Sequence, residues 1–239
     1  MRQFIFEKNY PSLSYIARNW PNTKHLLKKF VLSNHKKPNF LKICMSCLFD
    51  MNVHKIGNFR NILKKLSKVS SQNFTYNSYH DQHHFKAVIL ISCLLAKLSN
   101  FKSTEEIVWL IIIALTHDLN HQGRRIVKKS YYQEDRSFKE LSFIVFRKLN
   151  NKNHKRFRRV FRSTYFPVKP IDVDDHLEKI ILDADILASL MFGMKTGIKL
   201  AERLKHEIRF DNKADVLFRG FLNLLNAKSL YLDSSKNSC

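Results

Sequence analysis

Apolar residues recur along this chain at spacings of three and four, the period of a helix with one buried face. Over 58–69, Phe59, Ile62, Leu63 and Leu66 share such a face. Residues 40–49 are apolar over a helical length, and 84–98 form the next helix. Ser103-Thr104-Glu105-Glu106 reads as a helix start, with acidic residues at the positive end of the backbone dipole. It leads into 108–115, which is apolar on every side and therefore predicted to be buried. Further helices are predicted over 137–149, 153–165, 174–190, 195–206 and 211–231. Pro11, Pro21 and Pro38 divide the first forty residues into short helices, and the polar stretches 70–79 and 120–135 read as loops. No strand alternation and no repeat is found. The fold class is therefore all-α, a compact multi-helix bundle. Residues 1–70 read as a helical part packing on a core formed by 71–231, with 232–239 a frayed tail.

Composition narrows the class. The chain has 239 residues, 44% of them hydrophobic, with only 5 Gly and 5 Pro. That excludes collagen-like and low-complexity chains. The longest apolar run, 107–115, is far short of the ~18 residues of a membrane span. Glu7 and Lys8 interrupt the place where a signal peptide is apolar, so a cytoplasmic location is expected. Cys44 and Cys47 form a CxxC with no second pair, which leaves a structural zinc site short of ligands. They read as small core residues.

The formal net charge is +22. Such an excess attracts nucleic acid, phosphorylated metabolites or an acidic membrane surface. The densest cluster, Lys155-Arg156-Phe157-Arg158-Arg159 with Arg162, reads either as a solvated helix face or as a grip on phosphates. No zinc-finger spacing, RNA-binding signature or basic zipper accompanies it. Nucleic acid is thus a less favoured partner than a small anionic phosphate ester.

Candidate chemistry sits in three places. His80 and His84 are four apart and project from one face if a helix begins near His80. His117 and Asp118 end the most apolar helix, and His121 follows close enough to share a site. A carboxylate buried there costs several kcal/mol unless it is paired or metal-bound. Asp185 lies on the inward face of an apolar helix, and Asp183, two residues away, must point elsewhere. Imidazoles and carboxylates converging from separate helices suit a divalent ion such as zinc, iron, manganese or magnesium. Asp118 can bridge two ions, and two ions can clamp a phosphoryl group and lower the pKa of water. Phosphate-ester hydrolysis is the chemistry this apparatus serves.

The order His84, His117-Asp118, Asp185 resembles the HD-domain superfamily of metal-dependent phosphohydrolases. The finer pattern resembles class I 3′,5′-cyclic nucleotide phosphodiesterases of the short bacterial type. Tyr79-His80-Asp81 before His84 resembles the family's Tyr-His-Asn, two residues, His. His117-Asp118 before His121-Gln122-Gly123 resembles its His-Asp, two residues, His, any residue, Gly. Residues 134–140 resemble its Asn-Asp-x-Ser-x-x-Glu, ending on Glu140. The likeness covers about residues 76–190 and continues more weakly to about 225.

This resemblance implies an all-α phosphodiesterase acting on cAMP or cGMP. His84, His117, Asp118 and Asp185 would hold the tighter ion, zinc or iron. Asp118 would also touch a second ion, magnesium or manganese, whose waters His121 and, less directly, Glu140 orient. His80 would be the general acid for the leaving 3′-oxygen, with a metal-bridging hydroxide as nucleophile. Tyr79 would line the substrate site, Phe218 would stack on a base and Arg124 would help hold phosphate. Asp81 stands where the family has Asn and would place negative charge beside His80. No Gln precedes Gly220-Phe221 where the family reads purines. Two alternatives remain at this point. One is another HD-type enzyme, a nucleotidase, phosphatase or di-iron oxygenase; the last would draw on His154 and His176. The other is a basic nucleic-acid-binding protein with a vestigial metal site.

Overall fold

A computed structural model describes residues 12–33, 38–72, 77–123, 130–145, 149–165, 173–227 and 230–236. All regular structure among these residues is helical. In chain order the helices are α1 (Leu13–Arg18), α2 (Lys24–Val31), α3 (Phe40–Asp50), α4 (Phe59–Gln72), α5 (Gln82–Leu98) and α6 (Thr104–Thr116), followed by α7 (Tyr132–Val145), α8 (Asn151–Ser163), α9 (His176–Leu190), α10 (Met194–Ile208), α11 (Ala214–Ala227) and α12 (Asp233–Lys236). No helix is long and apolar enough to cross a membrane.

Two helices without a polar face set the architecture. α5 is buried continuously from His83 to Ala96, and α6 from Ile107 to Thr116. A helix that is apolar all round can only sit inside other helices. Accordingly α5 packs on α1, α2, α3, α6 and α9. Each fully buried Ile or Leu in this centre contributes ~1.5–3 kcal/mol. Leu13, Leu27, Leu48 and Leu66 of the first four helices belong to the same continuous core as Leu110 and Ile181. α10 and α11 pair on one side over a smaller core of Ala201, Ala214 and Phe218. Cys44, Cys47 and Cys93 are fully buried.

Caps fix where the central helices begin. Asp81 accepts hydrogen bonds from the backbone N–H groups of His83 (2.8 Å) and His84 (3.2 Å), which starts α5. Ser103 caps α6, and Asp175 caps α9.

Two segments differ from the sequence reading. Helix α7 begins at Tyr132, inside the stretch expected to be a loop, and Glu134 and Asp135 lie in its first turn. Residues 232–236, expected to fray, are docked instead. The backbone N–H groups of Tyr231 and Leu232 donate to Asp183 at 2.9 and 2.8 Å, and Ser235 is fully buried in α12. The buried Asp183 carboxylate needs donors, and the tail supplies them.

The basic cluster of α8 is neutralised by the protein itself. Arg156 donates to Glu106 with both terminal nitrogens (2.6 Å each) and to Asp175 at 2.5 and 2.8 Å. Arg159 pairs with Glu178, and Arg158 and Arg162 with Asp135. Phe157 is fully buried. Lys155, Arg158 and Arg159 are exposed, as the solvated-face reading expects, but the arginines are ion-paired within the protein. The arginines bind α8 to α6, α7 and α9.

Candidate metal centre

The first turn of α5, the C-terminal end of α6 and the middle of α9 meet at one point. His84 Nε2 lies 3.0 Å from Asp118 Oδ2, 3.3 Å from Asp185 Oδ1 and 3.1 Å from His117 Nε2. His117 Nε2 lies 3.0 Å from Asp118 Oδ2 and 3.8 Å from Asp185 Oδ1. The four ligand atoms fall within 4.8 Å of one another. The His117 tautomer is set by its surroundings: its Nδ1–H donates to the Ala114 carbonyl at 3.0 Å. That leaves the Nε2 lone pair facing the cluster, as a metal ligand requires. Asp183 turns to the opposite side of α9 and accepts from Tyr231 and Leu232.

The electrostatics call for a cation here. Burial works against a charged His84, yet hydrogen bonds and attraction to Asp118 and Asp185 outweigh it and push the group up to about 10. His117 moves up for the same reason. Asp118 is held well below the usual carboxylate range, because His117, His80 and His84 overcome the effect of burial. Two imidazoles and two carboxylates are a donor set suited to zinc, iron or manganese, so the residues fit such an ion.

A second group shares Asp118. His80, Asp118 and His121 also present converging ligand atoms. The rings of His80 and His121 stack with centroids 3.7 Å apart, and His80 Nε2 lies 3.8 Å from Asp118 Oδ2. The backbone N–H of Gly123 donates to His121 Nδ1 at 3.1 Å, so the His121 proton is on Nε2. Burial, then the charge of His80, pushes His121 down to about 3. His121 is therefore a neutral donor that can orient a water. Gly123 adopts φ +66°, and a Cβ there would meet Asn77 Oδ1 at 2.4 Å, so only glycine fits. Asn77 in turn donates to the His121 carbonyl at 2.9 Å.

Glu207, on α10, closes this group. Its side chain is almost fully buried and accepts a hydrogen bond from His80 Nδ1. It also accepts from the backbone N–H groups of Tyr79 (2.7 Å) and His80 (3.0 Å). Burial opposes its charge, but the hydrogen bond and charge of His80 prevail and hold Glu207 at about 2. With Nδ1–H committed to Glu207, His80 turns Nε2 toward the cluster.

The fold has a solved counterpart. The chain superposes on the phosphodiesterase domain of a RhoPDE fusion protein from the choanoflagellate Salpingoeca rosetta with a TM-score of 0.53 and 15% identity. The match covers 89% of this chain and 83% of that one. The fold is phosphodiesterase-like. No protein-family model and no curated protein matches the sequence.

The remaining sequence expectations divide. Tyr79 is at the cluster: its ring lies 5.2 Å from that of His84, and its hydroxyl shares a hydrogen bond with Ser189. Glu140 lies on α7 and makes no hydrogen bond or ion pair with the cluster among the described residues. Glu134, at the start of the same helix, is the acid that feels it. Burial and repulsion from Asp118, Asp135 and Asp185 push Glu134 up to about 7. Phe218 is 7% exposed and its ring packs on Gly197, where a Cβ would meet it at 2.5 Å. It fills the α10–α11 interface instead of offering a free face for stacking. Arg124 lies outside the described residues. Asp81 does not face His80; it caps α5 and pairs with Arg203 at 3.2 Å. His154 sits on α8 against Phe138, and His176 bonds Ser99 and stacks on Phe101. Neither joins the cluster.

The sequence reading missed Glu207 and Glu134. Glu207 had a signal: Leu200, Leu204 and Glu207 follow the i, i+4, i+7 spacing, which puts a carboxylate on the apolar face of α10.

Proposed function

We propose that this protein is a metal-dependent, HD-type phosphodiesterase that hydrolyses a 3′,5′-cyclic nucleotide to the 5′-nucleotide. The observation that carries this reading is the cluster of His84, His117, Asp118 and Asp185, with His121 and a Glu207-bonded His80 converging on the shared Asp118. His84, His117, Asp118 and Asp185 would hold a zinc or iron ion. Asp118 would also reach a second ion, magnesium or manganese, beside His121. A divalent ion there supplies positive charge to the phosphoryl oxygens and lowers the pKa of water.

The chain's own groups do the rest. His121, neutral and protonated on Nε2, orients the attacking water. His80 delivers the proton from Nε2 to the leaving 3′-oxygen, while Glu207 holds Nδ1–H and offsets the imidazolium charge. Tyr79 walls the site beside His84. The nucleotidase or phosphatase alternative is favoured by one observation: Phe218 is buried and no Gln precedes Gly220-Phe221, so the purine-reading elements of the family are not evident.

The test is hydrolysis of cAMP, cGMP and a simple phosphomonoester by purified protein supplied with zinc, iron, manganese or magnesium. Release of 5′-nucleotide by the native protein, lost in Asp118→Ala, is the expected result. Turnover of the phosphomonoester alone would move the assignment to a phosphatase. No turnover of any substrate by metal-loaded protein would overturn it.

A further inference from the structure

A second concave site lies beside the α5 N-cap. The cavity, about 340 Å³, opens between α2 and α10. Lys195, Lys199 and Arg203 follow one another at i, i+4 and i+8, so they form a cationic stripe along one face of α10. Lys28 of α2 faces them across the cavity. Thr196 and His83 form its floor, 7% and 5% exposed. Among the described residues no carboxylate lines it.

The charges here are open, unlike those of α8. Lys195 and Lys199 are exposed and make no ion pair among the described residues. Like charges at i and i+4 destabilise a helix, and nothing in the fold offsets this pair. Lys28 donates one hydrogen bond, to the Phe192 carbonyl at 3.0 Å, which leaves its charge uncompensated. Arg203 alone has an acidic partner, Asp81. Lysine ammonium groups on two walls suit the tetrahedral oxygens of phosphate, although Leu32 and Leu200 make much of the lining between them apolar. The volume is at the small end of ligand sites, enough for a compact phosphorylated molecule.

We propose that this cavity binds a small multivalent phosphate anion of the diphosphate class. The ligand would bridge Lys28 on one wall and Lys195 and Lys199 on the other, with the Thr196 hydroxyl as a neutral donor. Through the Arg203–Asp81 pair the cavity adjoins the cap of the helix that carries His84.

Calorimetric titration of metal-free protein tests this, at ~0.15 M salt so that loose surface attraction is screened. The probes are inorganic pyrophosphate, inorganic phosphate and ADP. Without metal or a hydrolysable cyclic nucleotide, the outcome is independent of the phosphodiesterase reading. One pyrophosphate per chain is expected, bound more tightly than orthophosphate. Lys195→Gln/Lys199→Gln should weaken it about tenfold or more. Lys102→Gln/Lys152→Gln, on exposed surface elsewhere, should leave it unchanged, and thermal melts of both variants check folding. ADP binding as tightly as pyrophosphate would identify a nucleotide as the source of the diphosphate. Binding by pyrophosphate alone would identify the inorganic ion. Equal weakening by both variant pairs, or no effect of the cavity pair, would overturn the proposal.

Discussion

The α8 arginine network and the His/Asp cluster are both dense groups of ionisable side chains, and they differ in whether they close. In the network, Arg156, Arg158, Arg159 and Arg162 meet Glu106, Asp135, Asp175 and Glu178. Burial of Asp175 is outweighed by its bonds to Arg156, and its carboxyl sits below the usual range. Nothing more is needed there. In the cluster, Asp118 and Asp185 face His84 and His117, and the charge is balanced only if both imidazoles take up a proton. A divalent ion provides that charge and satisfies the converging lone pairs together. Closed groups hold helices in place, whereas open groups recruit something from outside.

The largest effects are expected where the open group is emptied. Asp118→Ala removes the residue shared by both ligand groups, and hydrolysis should fall to background with the helical content unchanged by circular dichroism. His80→Ala should lower kcat by ~10²–10⁴-fold while metal content stays at the native level, because a general acid and not a ligand is lost. Glu207→Gln keeps the shape but loses the charge that holds His80. A fall in kcat of ~10–100-fold is expected, with an altered pH–rate profile. An unchanged profile would mean that Glu207 serves folding alone.

The closed group should respond differently. Arg156→Met leaves Glu106 without its guanidinium partner and Asp175 with Arg159 alone, at 3.5 Å. Stability should fall by ~1–3 kcal/mol, with turnover per folded molecule unaffected. Loss of metal from this variant would show that the two regions are not independent.

The smallest effect separates proton from metal in the cluster. His84 in the metal-free protein is raised from 6.5 to about 10. Its contribution to stability is therefore complete below pH 6.5 and is lost as pH rises toward 10. A bound ion displaces that proton, so metal affinity should increase over the same range. Thermal melts with and without zinc should diverge progressively from pH 6.5 upward. A separation independent of pH would contradict the assignment.

Much of this was legible in the sequence, and the omissions share a cause. Helical spacing places most of the helices, because an amphipathic or wholly apolar period is a local property. His84, His117-Asp118 and Asp185 stand out because polar groups interrupt apolar helices. Glu207 and Glu134 stand out less: the spacing of α10 turns Glu207 inward, but each gains its role only from residues far along the chain. The tail was misread for the same reason. Residues 232–236 are polar, and only the distant Asp183 carboxylate explains why they dock. Phe218 shows the converse: an aromatic side chain suited to stacking is used for packing.

Asp183 and Asp185 repeat the contrast between closed and open groups within a single turn of α9, and they permit the most direct test. Native protein, Asp183→Ala and Asp185→Ala would each be loaded with zinc, dialysed and analysed for bound metal. The native protein and Asp183→Ala should retain the ion, although Asp183→Ala should melt earlier by ~1–3 kcal/mol because two backbone N–H groups lose their acceptor. Asp185→Ala should lose the ion while keeping its melting temperature closer to native. Retention of zinc by Asp185→Ala at the native level would contradict the metal centre.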